Sequence, residues 1–171
     1  DNNDLFKNLY IPFAPGDNGG ALGAAFIVSA HYNDVIQNSQ NPYLGRDFSN
    51  EEIKKILNQN YYNDKLKYEL IIDEKKLLRL TAKLISEGNV IGWFQGKMEF
   101  GPRSLGNRSI LADPRNPEMK KIINKKIKRR ESFRPFAPSV LKKYQYEWFE
   151  SEFTNPYMSS VATVKDNKKK L

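Results

Sequence analysis

The chain has no cysteine and a single histidine among its 171 residues. The missing thiols exclude a disulfide scaffold, a thiolate metal centre and a cysteine nucleophile, and they fit a reducing, cytoplasmic setting. No stretch approaches the roughly 18 consecutive apolar residues that a membrane-spanning helix requires, so no membrane partner is expected. The opening residues, DNNDLFKNLY, are acidic and aromatic, unlike a secretory or transit signal. No internal repeat is visible, and only the tail around Lys168-Lys169-Lys170 is low in complexity.

What is present is an ordinary globular composition, with 39% hydrophobic and 28% charged residues. A chain of this length predicts one core of moderate size with a smaller appendage. Lys plus Arg number 28 against 20 Asp plus Glu, a formal net charge of +8. That balance leaves nucleic acid, an acidic membrane surface or a phosphorylated small molecule as classes of partner. Position narrows the choice. Six of the arginines (Arg103, Arg108, Arg115, Arg129, Arg130 and Arg134) fall within residues 103–134, and every glycine precedes residue 107. Flexible backbone and forked cations therefore overlap between about Gly88 and Pro138, where bidentate oxyanion binding becomes possible.

Along the chain, Pro15-Gly16-Asp17-Asn18-Gly19-Gly20 precedes a small-residue helix over 19–33, with Ala21, Ala24, Ala25 and Val28 on one face. Asp17 reads as a helix N-cap or turn residue, and His31 as a complement to the helix C-terminus. Asn41-Pro42-Tyr43-Leu44-Gly45-Arg46 reads as an extended connector between two units. Ser49-x-x-Glu52 has the form of a capping box ahead of Ile53, Ile56 and Leu57. Tyr68–Ile72 predicts a strand. Asp73 then caps a helix from Glu74 to about Glu87, with Leu77, Leu80, Leu84 and Ile85 facing inward and Gly88 as its stop. A strand follows at Val90–Phe94. Strand, helix, strand at this spacing predicts an α/β or α+β fold.

The loop after that strand, Gln95 to Ser109, carries three glycines, a proline and three cations, Lys97, Arg103 and Arg108. Such a loop can bring backbone N–H groups and guanidinium forks onto an oxyanion, although it has neither the Walker spacing nor a dinucleotide fingerprint. Ile110-Leu111-Ala112 predicts a short strand, and Asn116 an N-cap with Pro117 at the first helical position. Met119, Ile122, Ile123 and Ile127 form the apolar stripe of that helix, and Lys120, Lys121, Lys125, Lys126 and Lys128 its solvated faces. In Arg129–Pro138 two prolines and two phenylalanines hold Arg134 in an extended segment. Ser139–Leu141 predicts a strand, and the aromatic stretch from Tyr144 to Phe153 a cover for the core.

The run GWFQGKMEFGPRSLGNRSILADPRNPEMKKIINKKIKRRESFRPFAPSVL, preceded by LYIPFAPGDNGGALGAA and PYLGRDFSNEEI, resembles the C-terminal half of the O-carbamoyltransferases of the nodulation and antibiotic-biosynthesis type. The resemblance covers most of the chain. It implies a two-part protein. Residues 1–40 would be the tail of an N-terminal carbamoyl-transfer domain of the actin-like ATPase fold. Residues 41–171 would be a C-terminal YrdC-like domain, mixed α+β with a twisted mixed sheet and packed helices, incomplete at its C-terminus. The family continues into a His-x-Asp-Gly-Thr-x-Arg segment that does not follow here.

The resemblance also implies roles. The second domain would bind ATP, with magnesium, and carbamoyl phosphate, and form carbamoyl-adenylate, whose carbamoyl group passes to a hydroxyl-bearing acceptor of unspecified identity. Lys97, Arg103, Arg108 and Arg134 would line the reacting site, with Gly96, Glu99, Gly101, Asn107 and Arg115 contacting the nucleotide. Asp17 matches the aspartate of the family's Asp-x-Gly motif and would ligate iron or a similar divalent metal in the transfer domain, beside histidines from an upstream part. Lys97 stands where the family usually has Arg, and Ser104 where it usually has Ala. The competing class is a nucleic-acid-binding YrdC-like module, which the +8 charge permits but which the solvated-face reading of the lysines disfavours.

Overall fold

The computed structural model describes residues 10–33, 41–59, 67–150 and 156–169. Its helices begin where local capping chemistry places them. Helix α1 (Asp17–His31) has Gly16 at its N-cap, with no side-chain cap; Asp17 is not the cap but the acidic residue of the first turn, and His31 the basic residue of the last. At α2 (Asn50–Leu57) the capping box is complete: Glu52 N donates to Ser49 Oγ at 3.1 Å and Ser49 N to Glu52 Oε2 at 2.8 Å. Asp73 Oδ1 accepts from the backbone N–H of Lys75 and Lys76 to open α3 (Glu74–Ser86). Gly88, with φ of 88°, follows its end.

The strands depart further from expectation. Strand β1 (Ile91–Phe94) pairs antiparallel with β2 (Arg108–Leu111), Ile91 opposite Leu111 and Phe94 opposite Arg108. Strand β3 (Phe149–Glu150) pairs antiparallel with β4 (Thr163–Val164). The α/β class therefore holds, with the strands in two separate two-stranded ladders. Tyr68–Ile72 is not a strand: Leu70 and Ile72 are exposed, and no neighbour among the described residues supplies a ladder. Ser139–Leu141 is not one either. Pro138 removes a donor just ahead of it, and a 3-10 turn over Lys142–Tyr144 starts at once, closed by Tyr144 N donating to Leu141 O. That turn leads into α5 (Gln145–Trp148) and then β3.

The helix expected at Pro117 begins two residues later. Asn116 Oδ1 accepts from Glu118 N in a local turn, then α4 spans Met119–Ile122 and widens into a π-helical turn over Ile123–Lys128. Met119 and Ile123 of the expected stripe are buried, whereas Ile127 is exposed, and the lysines face outward as expected.

Burial is concentrated at few places. Among the described residues Phe13, Ala14, Pro42, Met119 and Ile123 are the buried apolar ones, with Glu99, Asp113 and Asn124 the buried polar ones. Much apolar surface is open: Ala21, Ala24, Ala25 and Val28 of α1 are all exposed. No described helix is long and apolar enough to cross a membrane.

Candidate functional site

The β1–β2 ladder closes the base of the cation-bearing loop, and Gln95 N donates to Asn107 O (3.0 Å) just above it. The inside of the loop is organised by Glu99, whose side chain is fully buried. Glu99 Oε1 accepts from the backbone N–H of Leu105 (2.7 Å), Asn107 (2.8 Å) and Arg108 (3.2 Å). Its Oε2 accepts from Arg108 Nε at 3.3 Å, and its backbone carbonyl from Arg108 Nη2 at 3.3 Å. Burial alone would raise the Glu99 pKa. The N–H donors of Leu105, Glu99 itself, Asn107 and Arg108 outweigh it and hold the carboxyl at about 2. The amides expected to converge on a substrate oxyanion thus converge on Glu99, and the cations are left as the outward-facing donors.

Those cations differ in what holds them. Arg108 is held through Nε and Nη2, its Nη1 forms no hydrogen bond among the described residues, and its side chain is 45% exposed. Lys97 and Arg103 are exposed and form no ion pair among the described residues. Gly96, at φ 54°, and Asn107, whose Nδ2 donates to Lys97 O at 2.6 Å, shape the bend beneath Lys97. Ser104 Oγ donates to Arg108 O and lies 2.9 Å from Ser109 Oγ, a local role for the residue where the family pattern has Ala.

The loop is braced from two sides. The connector runs along it: Gly45 N donates to Met98 O (2.9 Å), Met98 N to Arg46 O (3.1 Å), Phe100 N to Pro42 O (2.7 Å) and Tyr43 Oη to Leu105 O (3.0 Å). On the other side sits the segment carrying Asp17. A Cβ on Gly101, whose φ is 122°, would lie 3.1 Å from Phe13 O and 3.6 Å from Asn18 Nδ2. The Phe13 and Phe100 rings meet edge to face at 6.4 Å. The start of α1 and the loop are therefore in contact, which the sequence does not announce. Asp17 is exposed, and among the described residues no group of three or more His, Cys, Asp or Glu could hold a metal. One carboxylate does not fit the donor set of a transition metal.

Two other expected contacts are occupied by the protein. The Arg115 fork lies on Asp113, Nε at 2.9 Å from Oδ1 and Nη2 at 2.6 Å from Oδ2, which lowers the Asp113 pKa to about 2 and raises that of Arg115. Arg134 Nε pairs with Glu131 Oε2 at 3.0 Å. Among the described residues no hydrogen bond or ion pair joins Arg134 to the 95–108 loop. Its segment hangs instead on Asn124, which is wholly buried: Nδ2 donates to Ser132 O (3.3 Å) and Arg134 O (3.0 Å), and Oδ1 accepts from Arg130 Nε (2.7 Å). Arg130 also stacks over Phe136 at 4.8 Å. Asn124 and Arg130 escaped the sequence reading. The one available signal was an Asn directly after the apolar Ile122-Ile123 pair. An open apolar cleft of about 500 Å³ between residues 10–16 and the first turns of α1 is lined by no charged side chain, so it does not fit an anion.

A mixed α/β chain with a cation-bearing loop folded over a buried carboxylate is a class to which comparison with known proteins gives a family. Residues 82–171, just over half of the chain, match the family model "Carbamoyltransferase C-terminus", and the chain belongs to that family. It is 41% identical to nodulation protein NolO of Bradyrhizobium diazoefficiens over 96% of the chain and 30% of that protein. An uncharacterized protein of Synechocystis sp. is 45% identical over 94% of the chain and 27% of its own length. A 3'-hydroxymethylcephem-O-carbamoyltransferase of Streptomyces clavuligerus is 27% identical over 94% and 28%. The chain thus spans between a quarter and a third of these relatives.

Proposed function

We propose that this chain is part of an O-carbamoyltransferase and that its 95–108 loop binds the phosphoryl groups of carbamoyl phosphate and ATP. The observation carrying this reading is that Lys97, Arg103 and the open edge of Arg108 project from one loop whose inside is fixed by Glu99. Family membership supports it, as do the O-carbamoyltransferase name of the Streptomyces relative and the likeness to NolO.

In the proposed reaction, carbamoyl phosphate, ATP and water give carbamoyl-adenylate, pyrophosphate and phosphate. Water first cleaves carbamoyl phosphate to carbamate and phosphate; the carbamate oxygen then attacks the α-phosphorus, the bond to the oxygen bridging the α- and β-phosphorus breaks, and pyrophosphate leaves. Charge on these anions opposes their approach, and fixed cations lower that cost. Arg108 supplies a rigid contact, and Arg103 and Lys97 mobile ones that can close on the leaving pyrophosphate. The carbamoyl group then passes to a hydroxyl acceptor on a part of the protein toward which the Asp17 segment leads. A metal there would need donors beyond Asp17, and no step is routed through it. A cytoplasmic setting, where ATP is abundant, fits this chemistry.

Calorimetric titration of the chain with pyrophosphate, carbamoyl phosphate and magnesium-ATP tests the reading. Saturable binding of pyrophosphate and ATP, with one-site competition, is expected. Binding of generic duplex DNA with steep salt dependence, and none of these small anions, would favour the nucleic-acid class instead.

A further inference from the structure

The family reading places Glu99 among the ligand contacts, yet its geometry gives it another task. A fully buried carboxylate accepting three backbone N–H groups has no oxygen facing solvent through which to meet a ligand. Its Oε2 and its backbone carbonyl together grip Arg108 by Nε and Nη2. A guanidinium held at two of its three nitrogens cannot rotate freely, and the third, Nη1, is aimed by default. Elsewhere the arrangement differs. Arg115 is held within its own turn by the buried Asp113, Arg134 by the exposed Glu131, and Arg103 forms no ion pair among the described residues.

We infer that Glu99 is a positioning residue: it orients Arg108 so that the Nη1 edge forms a fixed, pre-organised contact with a phosphoryl oxyanion, and touches no ligand itself. This rests on the anion-binding reading of the loop. Pre-organisation matters because a flexible arginine loses side-chain freedom when it binds, whereas one already held loses little. A buried anion behind Arg108 also keeps that guanidinium aligned without lying in the ligand's path.

A double-mutant cycle on the chain, read by pyrophosphate affinity, tests the inference. Glu99→Gln should weaken binding about tenfold in the native background, and less than about twofold when Arg108 is already Ala, because its effect runs through Arg108. Equal losses in both backgrounds would mean that Glu99 acts by general loop collapse, and would overturn the inference while leaving the anion site standing. Absence of pyrophosphate binding by the unaltered chain would overturn the site and the inference together. Should Glu99→Gln fail to fold, Arg108→Lys decides. It keeps the charge and the backbone bonds to Glu99, which amide exchange at Leu105 and Asn107 checks, but lacks the gripped fork. Affinity within about threefold of Arg108→Ala is expected. Retention of native affinity in Arg108→Lys would show that charge alone suffices and would overturn the proposal.

Discussion

The 95–108 loop and the 129–136 segment are two irregular, arginine-bearing stretches, each hung on one wholly buried polar side chain, and they use those side chains in opposite senses. Glu99 is an acceptor that gathers backbone N–H groups and one side of Arg108. Asn124 mainly gathers carbonyls, from Ser132 and Arg134, and receives Arg130 at its own oxygen. In the second region the guanidinium groups of Arg130 and Arg134 are turned onto protein acceptors. In the first, Lys97, Arg103 and an edge of Arg108 remain available. Density of arginine therefore says little about where an anion binds. What decides is which cations the fold leaves without a partner.

The comparison is broken most directly at its two anchors. Glu99→Ala leaves three loop amides and Arg108 without their acceptor and should cost about 3 kcal/mol of stability. Asn124→Ala frees two carbonyls and one guanidinium nitrogen beside water-accessible backbone and should cost about 2 kcal/mol. Urea unfolding at neutral pH measures both. A cost below ~1 kcal/mol for Glu99→Ala would mean that the loop is not organised by that carboxylate.

Acid separates the two anchors, since only one of them titrates. The Glu99 carboxyl is depressed from 4.5 to about 2 in the folded chain. A depressed carboxyl stabilises the fold above its unfolded pKa and loses that contribution as pH falls from 4.5 toward 2. From these two values about 2 kcal/mol of the Glu99 contribution is lost between pH 7 and pH 3. The stability gap between the native chain and Glu99→Gln should narrow over that interval, while the gap for Asn124→Ala stays constant.

A third anchor of the loop lies outside both regions. A Cβ on Gly45 would fall 2.8 Å from Met98 Cβ and 2.9 Å from Met98 O, within the backbone pairing of connector and loop. Gly45→Ala should cost about 1.5 kcal/mol through this overpacking. Gly20→Ala, with nothing near its Cβ, should stabilise α1 by up to about 1 kcal/mol. Thermal unfolding of the pair distinguishes crowding from helix propensity.

How much of this was legible in sequence depends on the range of the interactions. The capping box at Ser49 and Glu52, the Asp73 cap and the Gly88 stop involve residues within a turn of one another, and the residue types alone specify them. Strands need a partner, so Tyr68–Ile72 and Ser139–Leu141 have strand composition without the ladder that makes one. Glu99 was legible as part of a charged loop, but not as its buried centre, because burial of a carboxylate depends on amides six to nine positions away. Asn124 looked like one more polar residue in a lysine-rich helix, and the widening of that helix into a π turn is what carries it inside. Arg134 stood out for its neighbours Phe133 and Pro135, whereas the arginine most firmly held in that segment is Arg130.

The smallest expected effects sharpen the comparison at the level of single cations. Arg103 is exposed, forms no ion pair among the described residues and lies on the loop that Glu99 shapes. Truncating it removes a cation that the bound anion alone would pair, so Arg103→Ala should weaken pyrophosphate binding about tenfold. Arg134 already faces Glu131, and the two side chains are 52% and 56% exposed. An anion would have to compete with that carboxylate, so Arg134→Ala should change affinity less than about threefold. Lys120→Ala and Lys121→Ala, on the solvated helix face, should fall within about twofold of the native chain. The same titration measures all four. If Arg134→Ala instead matched Arg103→Ala, the Glu131 pair must open on binding, and the two regions would close on one ligand. The segment hung on Asn124 would then belong to the anion site rather than stand apart from it.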